Sequence, residues 1–230
     1  MNRTGGQAAG IAQTCVFGGG NGWGRRIAET IAGAGARVLV IEKDDGTEAA
    51  LAAINASDAV FIAIPDAGID ALLKQFHEPL KSKIILDCAT NKTGFSSAIQ
   101  RLADEGASVC STHPMAASGA VLLGQNALIM PLGRNSAEAE RLARGIYARL
   151  GMLCRTLPFE QHTALMAAVQ MLPHVIQRLF IDTLGHGLLK LDIGIGELDA
   201  LASANYLLAE LGLGRVAAQR GDVVHECSAK

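Results

Sequence analysis

An apolar run, Thr14–Phe17, breaks abruptly into GGGNGWG at Gly18–Gly24, and this junction constrains the fold more than any other segment. Five of those seven residues are glycine. Such density suits a backbone that turns sharply off a strand and lies close to a phosphate, where side chains would hold an anion away from the amides at a helix start. The following IAETIAGAGARVLVIEK reads as a helix, a turn and a second strand ending in Glu42. A strand-helix-strand unit with an acid about twenty residues beyond the glycines is the layout of a dinucleotide site. Gly18, Gly19, Gly20, Asn21, Gly22, Trp23 and Gly24 are thus expected to hold the diphosphate. Glu42 would accept hydrogen bonds from the ribose hydroxyls, which favours NAD over NADP.

Counted back from Gly24, the strict G-x-G-x-x-G spacing falls on Gly19, Asn21 and Gly24, so an Asn occupies the middle position. Asn tolerates a left-handed backbone better than most residues, which predicts that the turn survives. Lys43 and Arg25 are the cations that would favour a 2'-phosphate instead.

Beyond Glu42, short apolar runs alternate with helical patterns, at 59–64, 83–89, 108–112 and 127–131, with a further strand at 152–157. Strands apolar on both faces and separated by helices predict a parallel sheet buried on both sides, a doubly wound α/β layer structure. Pro158 marks a change of style. Leu165, Val169, Leu172, Ile176 and Leu179 then recur four and three apart, a seam facing another helix, which Pro173 should kink or split. A second helical run is expected from about Glu197 to Leu213. The predicted organisation is a loose arm at 1–12, a dinucleotide-binding domain at 13–157 and a helical domain at 158–230. So short a helical part must bury its stripes on the first domain or on another subunit, and a homodimer is the simplest solution.

A formal charge of −2 with 18% charged residues gives no basic footprint for nucleic acid. No run of eighteen consecutive apolar residues exists and the N-terminus lacks an apolar signal core, so the expectation is a cytoplasmic protein without a membrane role. The five cysteines lack C-x-x-C or zinc spacing and read as reduced core residues, with no metal site.

In doubly wound sheets ligands bind beyond the carboxyl ends of the strands. Four places meet that description: the glycine loop, Pro65–Asp66, Asp87–Lys92 in DCATNK, and 112–115 in THPM. His113 is the candidate acid-base group, because a neutral imidazole can take a hydroxyl proton while hydride leaves the same carbon. Its other reading is a His that closes a strand end. Thr90 and Lys92 could orient a substrate or cap the next helix. His162 and His174, twelve residues apart, need not converge.

The glycine loop, DCATNK, THPMAASG and FEQHTALMAAVQMLPH, in that order, resemble the prephenate and arogenate dehydrogenase family over about residues 14–215. The resemblance implies a Rossmann-type domain followed by a small all-helical dimerising domain. The implied reaction is NAD(P)-dependent oxidation of a cyclohexadienol, with the ring carboxylate lost as carbon dioxide and an aromatic ring formed. Carried over by position, His113 matches the catalytic histidine, Thr90 an active-site Ser and Lys92 the family Lys. His174 matches the His of Leu-Pro-His, and His162 the His of Glu-His-Asp with Gln161 and Thr163 as altered neighbours. Met115 falls in the His-Pro-Met segment and Pro65 and Asp66 beside the cofactor.

One departure stands out. Where the family places a carboxylate-binding Arg after a Tyr, Tyr206 is followed here by Leu207. Losing a bidentate contact of that kind costs about 2 to 4 kcal/mol. Either another cation such as Arg178 takes over, or the substrate is a specialised prephenate-like ring. The alternatives are a reductase of a cyclic ketone or imine using the same histidine, and a cofactor-binding protein without catalysis.

Overall fold

The structure, a computed structural model, describes residues 11–191, and side chains as far as residue 183. Seven strands form one sheet in the order β2-β1-β3-β4-β5-β6-β7. They are β1 (Gln13–Phe17), β2 (Arg37–Ile41), β3 (Ala59–Ile62), β4 (Ile84–Asp87), β5 (Ser108–Pro114), β6 (Asn126–Leu132) and β7 (Leu153–Thr156). Helices α1 (Gly22–Gly33), α2 (Gly46–Ala56), α3 (Asp66–Gln75), α4 (His77–Leu80), α5 (Ser96–Asp104) and α6 (Ala137–Arg149) fill the connections.

The strands are apolar on both faces because both faces are covered. Cys15, Phe17, Val60, Ile62 and Ile85 join Ile54, Ile69, Leu73 and Ile99 of α2, α3 and α5 in one core. Val16, Phe61 and Leu86, one position out of phase, join Ile27 and Ile31 of α1 and Ala143 and Ile146 of α6 in the other. The period of two therefore feeds two separate cores from the same strands.

The sheet departs from the all-parallel expectation at one place. β6 runs antiparallel to β5, with His113 opposite Leu128 and Pro114 opposite Ala127. Residues 115–125 contain no helix, so the chain has no crossover and must return in the opposite direction. β5 also continues to Pro114, so His113 lies inside the strand end and not just after it.

The chain divides into two compact units after Thr163. The first extends past Pro158 because the 3-10 turn Phe159–Gln161 packs on β6 and Phe159 lies against the first core. The second unit runs from Ala164 through a π-helical turn, Ala167–Met171, into α8 (Leu172–Leu191), the helix before it being α7 (His162–Met166). The interruption expected at Pro173 takes the form of that π turn. Proline has no N–H for the carbonyl of Val169, and a wider turn accommodates the missing bond without breaking the rod. Val169, Met171, Leu172, Val175, Ile176 and Leu179 are exposed on it. The span Phe159–Thr183 is long and apolar enough, by length and composition alone, to cross a membrane. The arm at residues 1–10, the helix expected at Glu197–Leu213 and Leu207 lie outside the described residues.

Gly24 and Gly33 should respond oppositely to a methyl group. A Cβ on Gly24 would sit 2.0 Å from the Gly18 carbonyl oxygen, whereas one on Gly33 meets nothing within 4 Å. In urea unfolding, Gly24→Ala is expected to lose at least about 2 kcal/mol through forced displacement of the loop. Gly33→Ala should gain up to about 0.5 to 1 kcal/mol from helix propensity.

Candidate active site

The glycine loop is shaped by three positions, and they differ from the three that strict spacing selects. Gly18 has φ +78 and Gly22 has φ +52, conformations that glycine adopts freely. Gly24 is needed for contact, because α1 crosses the Gly18 carbonyl and the Ala63 side chain too closely for any Cβ. Asn21, expected to be left-handed, is extended at φ −147 and ψ 177. The correction has a simple cause: counting back from Gly24 assumed a loop one residue shorter than the one that forms. Gly18, Gly22 and Gly24, in place of Gly19, Asn21 and Gly24, shape the turn. A Cβ on Gly19 would strike the Val40 methyls and crowd a Val16 methyl, so its bareness serves the packing of the loop on β1 and β2.

The first turn of α1 has no side-chain cap and no acidic residue. Its amides and the positive end of its dipole are therefore left for an anion. Glu42, immediately after β2, reaches back so that its Oε1 accepts the Gly20 N–H at 2.6 Å. Its own N–H donates to Asp45 Oδ2 at 2.7 Å. The acid and the loop thus share one edge of the sheet, as a site for a ribose next to a diphosphate requires. Arg25 is held by Glu29 at 2.8 Å on its own helix. Trp23 points along this edge toward the end of β5: its Nε1–H donates to the Ala116 carbonyl at 3.2 Å and its ring meets Tyr147 edge-on.

At the carboxyl ends of β4 and β5 the sequence brings together more than it announced. Lys92 is buried, and its ammonium donates to Asp87 Oδ1 and, at 2.7 Å, to the carbonyl of Thr112. Asp87 Oδ1 also accepts the Ala89 N–H at 3.0 Å, while Oδ2 has no partner among the described residues. The Thr112 hydroxyl donates to the Asp87 carbonyl and lies 2.7 Å from the Tyr147 hydroxyl. Burial raises the Tyr147 hydroxyl well above its ordinary value, so it stays protonated. Lys92 was expected to face a substrate, yet two of its three donors are spent inside the protein. Thr90 is exposed at the end of β4, where a ligand could meet it. Asp66 opens α3 and accepts the Asn91 N–H at 2.8 Å, joining the loops after β3 and β4.

His113 is 3% exposed and His162 is 1% exposed. His113 Nδ1 lies 3.0 Å from His162 Nε2, with the rings inclined at 60°. Burial, the Lys92 charge and the facing His162 push the His113 imidazole down to about 3. Burial and then Lys92 push His162 down to about 4, against a smaller opposing effect of Asp87. Both rings are therefore neutral near pH 7. Among the described residues no third His, Cys, Asp or Glu completes a metal-binding group with them.

His113, Lys92 and His162 thus meet in the first unit, with Thr90 at the end of the same strand β4 that carries Asp87. Met115 is half-buried beyond β5 and its N–H donates to Asn126. His174 and Arg178 belong to α8 in the second unit, where Arg178 pairs with Asp182 at 3.1 Å. Sequence reasoning placed Asp87 and Thr112 in candidate segments without giving them a role, and it missed Tyr147. Asp87 carried a signal, since an acid ending an otherwise apolar strand has to find a cation. Tyr147, buried in α6 far along the chain, carried none.

Three comparisons bear on this geometry. Residues 26–128 match the family model described as prephenate dehydrogenase, nucleotide-binding domain. No curated protein matches the chain. Among solved structures, arogenate dehydrogenase from Synechocystis superposes with a TM-score of 0.66 at 18% identity, over 89% of this chain and 83% of that one. Prephenate dehydrogenase from A. aeolicus, in complex with hydroxyphenyl propionate and NAD+, gives 0.60 at 16% identity, over 96% and 93%. An imine reductase from Myxococcus stipitatus with NADP+ gives 0.56 at 19%, over 90% and 78%. The resemblance to the prephenate and arogenate dehydrogenases therefore holds for the nucleotide-binding domain and the fold, with a strongly divergent sequence. The first unit has a Rossmann-like fold, and residues 26–128 within it resemble the nucleotide-binding domain of prephenate dehydrogenase.

The two depressed imidazoles predict acid lability. Below their ordinary value near 6.5 the unfolded chain takes up protons that the folded chain refuses, so stability present above about pH 6.5 is lost on acidification. Lys92, the facing ring and, for His162, Asp87 are the titratable groups that act on them. Between pH 7 and pH 5, urea unfolding should show a loss of about 1 to 2 kcal/mol per imidazole. In His113→Asn that loss should shrink by one imidazole's share.

Proposed function

We propose that this chain is an NAD-dependent dehydrogenase of a prephenate-like cyclohexadienol, oxidising the ring alcohol with loss of carbon dioxide to give an aromatic product. The observation that carries this reading is a buried, neutral His113 at the end of β5, in the same unit as an uncapped glycine loop and an acid closing β2. The loop fits a dinucleotide because a Cβ on Gly18, Gly20 or Gly24 would fill the space beside the backbone or Glu42. Gly18, Gly20, Gly22 and the start of α1 would hold the diphosphate, Glu42 the ribose, and Pro65 and Asp66 the edge next to them. A bound oxidised nicotinamide supplies the acceptor for hydride.

The chain's own residues do the rest. His113 accepts the hydroxyl proton at Nε2, Thr90 orients the ring by its hydroxyl, and Lys92 fixes the loop on which Thr90 stands. The reverse reaction, reduction of a cyclic ketone or imine, would need His113 as a proton donor. Burial and the Lys92 ammonium keep that ring from holding the extra proton, which favours the oxidative direction.

Leu207 in place of an Arg supports a changed substrate, one lacking the side-chain carboxylate or presenting an amine there. Met115, in the first unit with His113, is the residue proposed to meet it. The exposed apolar positions of the second unit are proposed to pair two copies through the C-terminal helices, in a cytoplasmic homodimer.

Two measurements test this reading. With prephenate, arogenate and related ring alcohols as substrates, NADH absorbance and carbon dioxide release should rise together. His113→Asn should lower turnover by about two orders of magnitude or more while calorimetric affinity for NAD is retained. Turnover with no carbon dioxide, or an undiminished variant, would refute the assignment.

Cofactor choice is tested separately. A 2'-phosphate beside Glu42 would meet a like charge, so NAD should bind at least about tenfold more tightly than NADP. Glu42→Gln should shrink that ratio, and a preference for NADP in the unaltered protein would overturn the choice.

A further inference from the structure

The His113–His162 pair poses a problem for the proposed chemistry that the pair itself can solve. A base works well when its proton affinity is matched to the pH at which it operates, and His113 lies far below that match. Proton uptake at Nε2 would create an imidazolium in a buried place beside the Lys92 ammonium. Such a charge is costly unless it is passed on or spread.

We infer that His162 acts through His113 as the second member of a proton relay: as the hydroxyl proton reaches His113 Nε2, the hydrogen on His113 Nδ1 moves to His162 Nε2. The inference rests on the dehydrogenase reading given above. The balance is complete. The substrate carbon loses hydride to the oxidised nicotinamide and its oxygen loses a proton, so the C–O bond becomes double. His113 gains one hydrogen at Nε2 and gives one from Nδ1. The net positive charge appears on His162; when the ring C–CO2 bond breaks, its electron pair closes the aromatic ring, carbon dioxide leaves, and the ring oxygen takes the proton back through His113.

Three observations support this direction. The nitrogens are 3.0 Å apart, within hydrogen-bond reach. Asp87 favours the charged form of His162 against the larger opposing effects of burial and Lys92, and its Oδ2 is a buried carboxylate oxygen without a partner among the described residues. His162 Nδ1 is likewise buried and without one. A cationic His162 therefore forms in the field of an under-used carboxylate. The arrangement differs from a Ser-His-Asp triad, in which the acid only orients the histidine and keeps its own protonation state.

The relay requires the resting protein to carry hydrogen on Nδ1 of both rings. Nitrogen-15 spectra of histidine-labelled full-length protein, without nucleotide or substrate, read this directly, with His113→Asn and His162→Gln assigning the signals. Pyrrole-type Nδ1 and pyridine-type Nε2 on both rings are expected. A pyrrole-type Nε2 on His113 would overturn the relay and leave the dehydrogenase reading untouched.

Kinetics supply the second arm, using whichever ring alcohol the unaltered protein oxidises. His162→Gln keeps an acceptor for the His113 Nδ1–H but cannot take a proton, whereas His162→Leu offers neither. Both should lower kcat by tenfold or more at unchanged NAD affinity. The kcat of His162→Gln should also depend on pH more steeply on the acid side. Full rescue by Gln would show that His162 only positions His113, and the relay would fall.

Discussion

The ion pair of Asp87 and Lys92 is the constraint on which the site depends. Both groups are buried at the ends of the central strands, where desolvation makes a lone charge very costly and a pair worthwhile only with further hydrogen bonds. The Thr112 carbonyl and the Ala89 N–H supply them. Since Lys92 bridges β4 and β5, the pair fixes the spacing of those two strand ends. His113 directly follows the carbonyl that Lys92 holds. The position of the imidazole is thus set by an electrostatic clamp made without any ligand.

The clamp has a chemical consequence as well as a mechanical one. An ammonium in the core is screened by salt less than a surface charge is, so it adds to the effect of burial on both imidazoles. Burial and this charge together keep them neutral, which leaves His113 a lone pair to offer and at the same time makes it a reluctant base. The Thr112–Tyr147 contact and the edge-on stacking of Trp23 on Tyr147 extend this rigid body to the first turn of α1. The N–H of Trp23 on Ala116 closes the circuit to the chain just beyond His113. Phosphate loop and candidate base are therefore joined through packed side chains, and not only through the sheet.

Most of this fold was legible in the sequence because its signals are local. Apolar runs such as Val60–Ile62 and Ile84–Leu86 and the glycines after Phe17 each report on their own backbone. The glycine spacing misled because a motif template fixes a count, while the chain satisfied the same contacts with one more residue. The antiparallel β6 was readable in principle from the lack of a helix between Met115 and Gln125. The site was harder. His113 and Lys92 were visible as polar residues at strand ends, but their partners were not. Lys92 turned inward because Asp87 needed a cation, and His162 met His113 across forty-nine positions of chain. Pairings of that kind arise from the third dimension, and no periodicity records them.

Three of the cations that the sequence put forward for a ligand are engaged elsewhere: Lys92, offered to a substrate, with Asp87, Arg178, offered to its carboxylate, with Asp182, and Arg25, offered to a 2'-phosphate, with Glu29. For a ring carboxylate due to leave as carbon dioxide, weak binding is an advantage. A carboxylate neutralised by a bidentate guanidinium is stabilised in the ground state, and that stabilisation must be given up as the charge moves into the ring. A carboxylate held loosely in a poorly solvated place starts higher and has less to lose. On this argument, the internal commitment of Lys92 to Asp87 suits a proposed substrate whose ring carboxylate is to leave. The Thr90 hydroxyl and the His113 imidazole are then the proposed contacts that hold the ring.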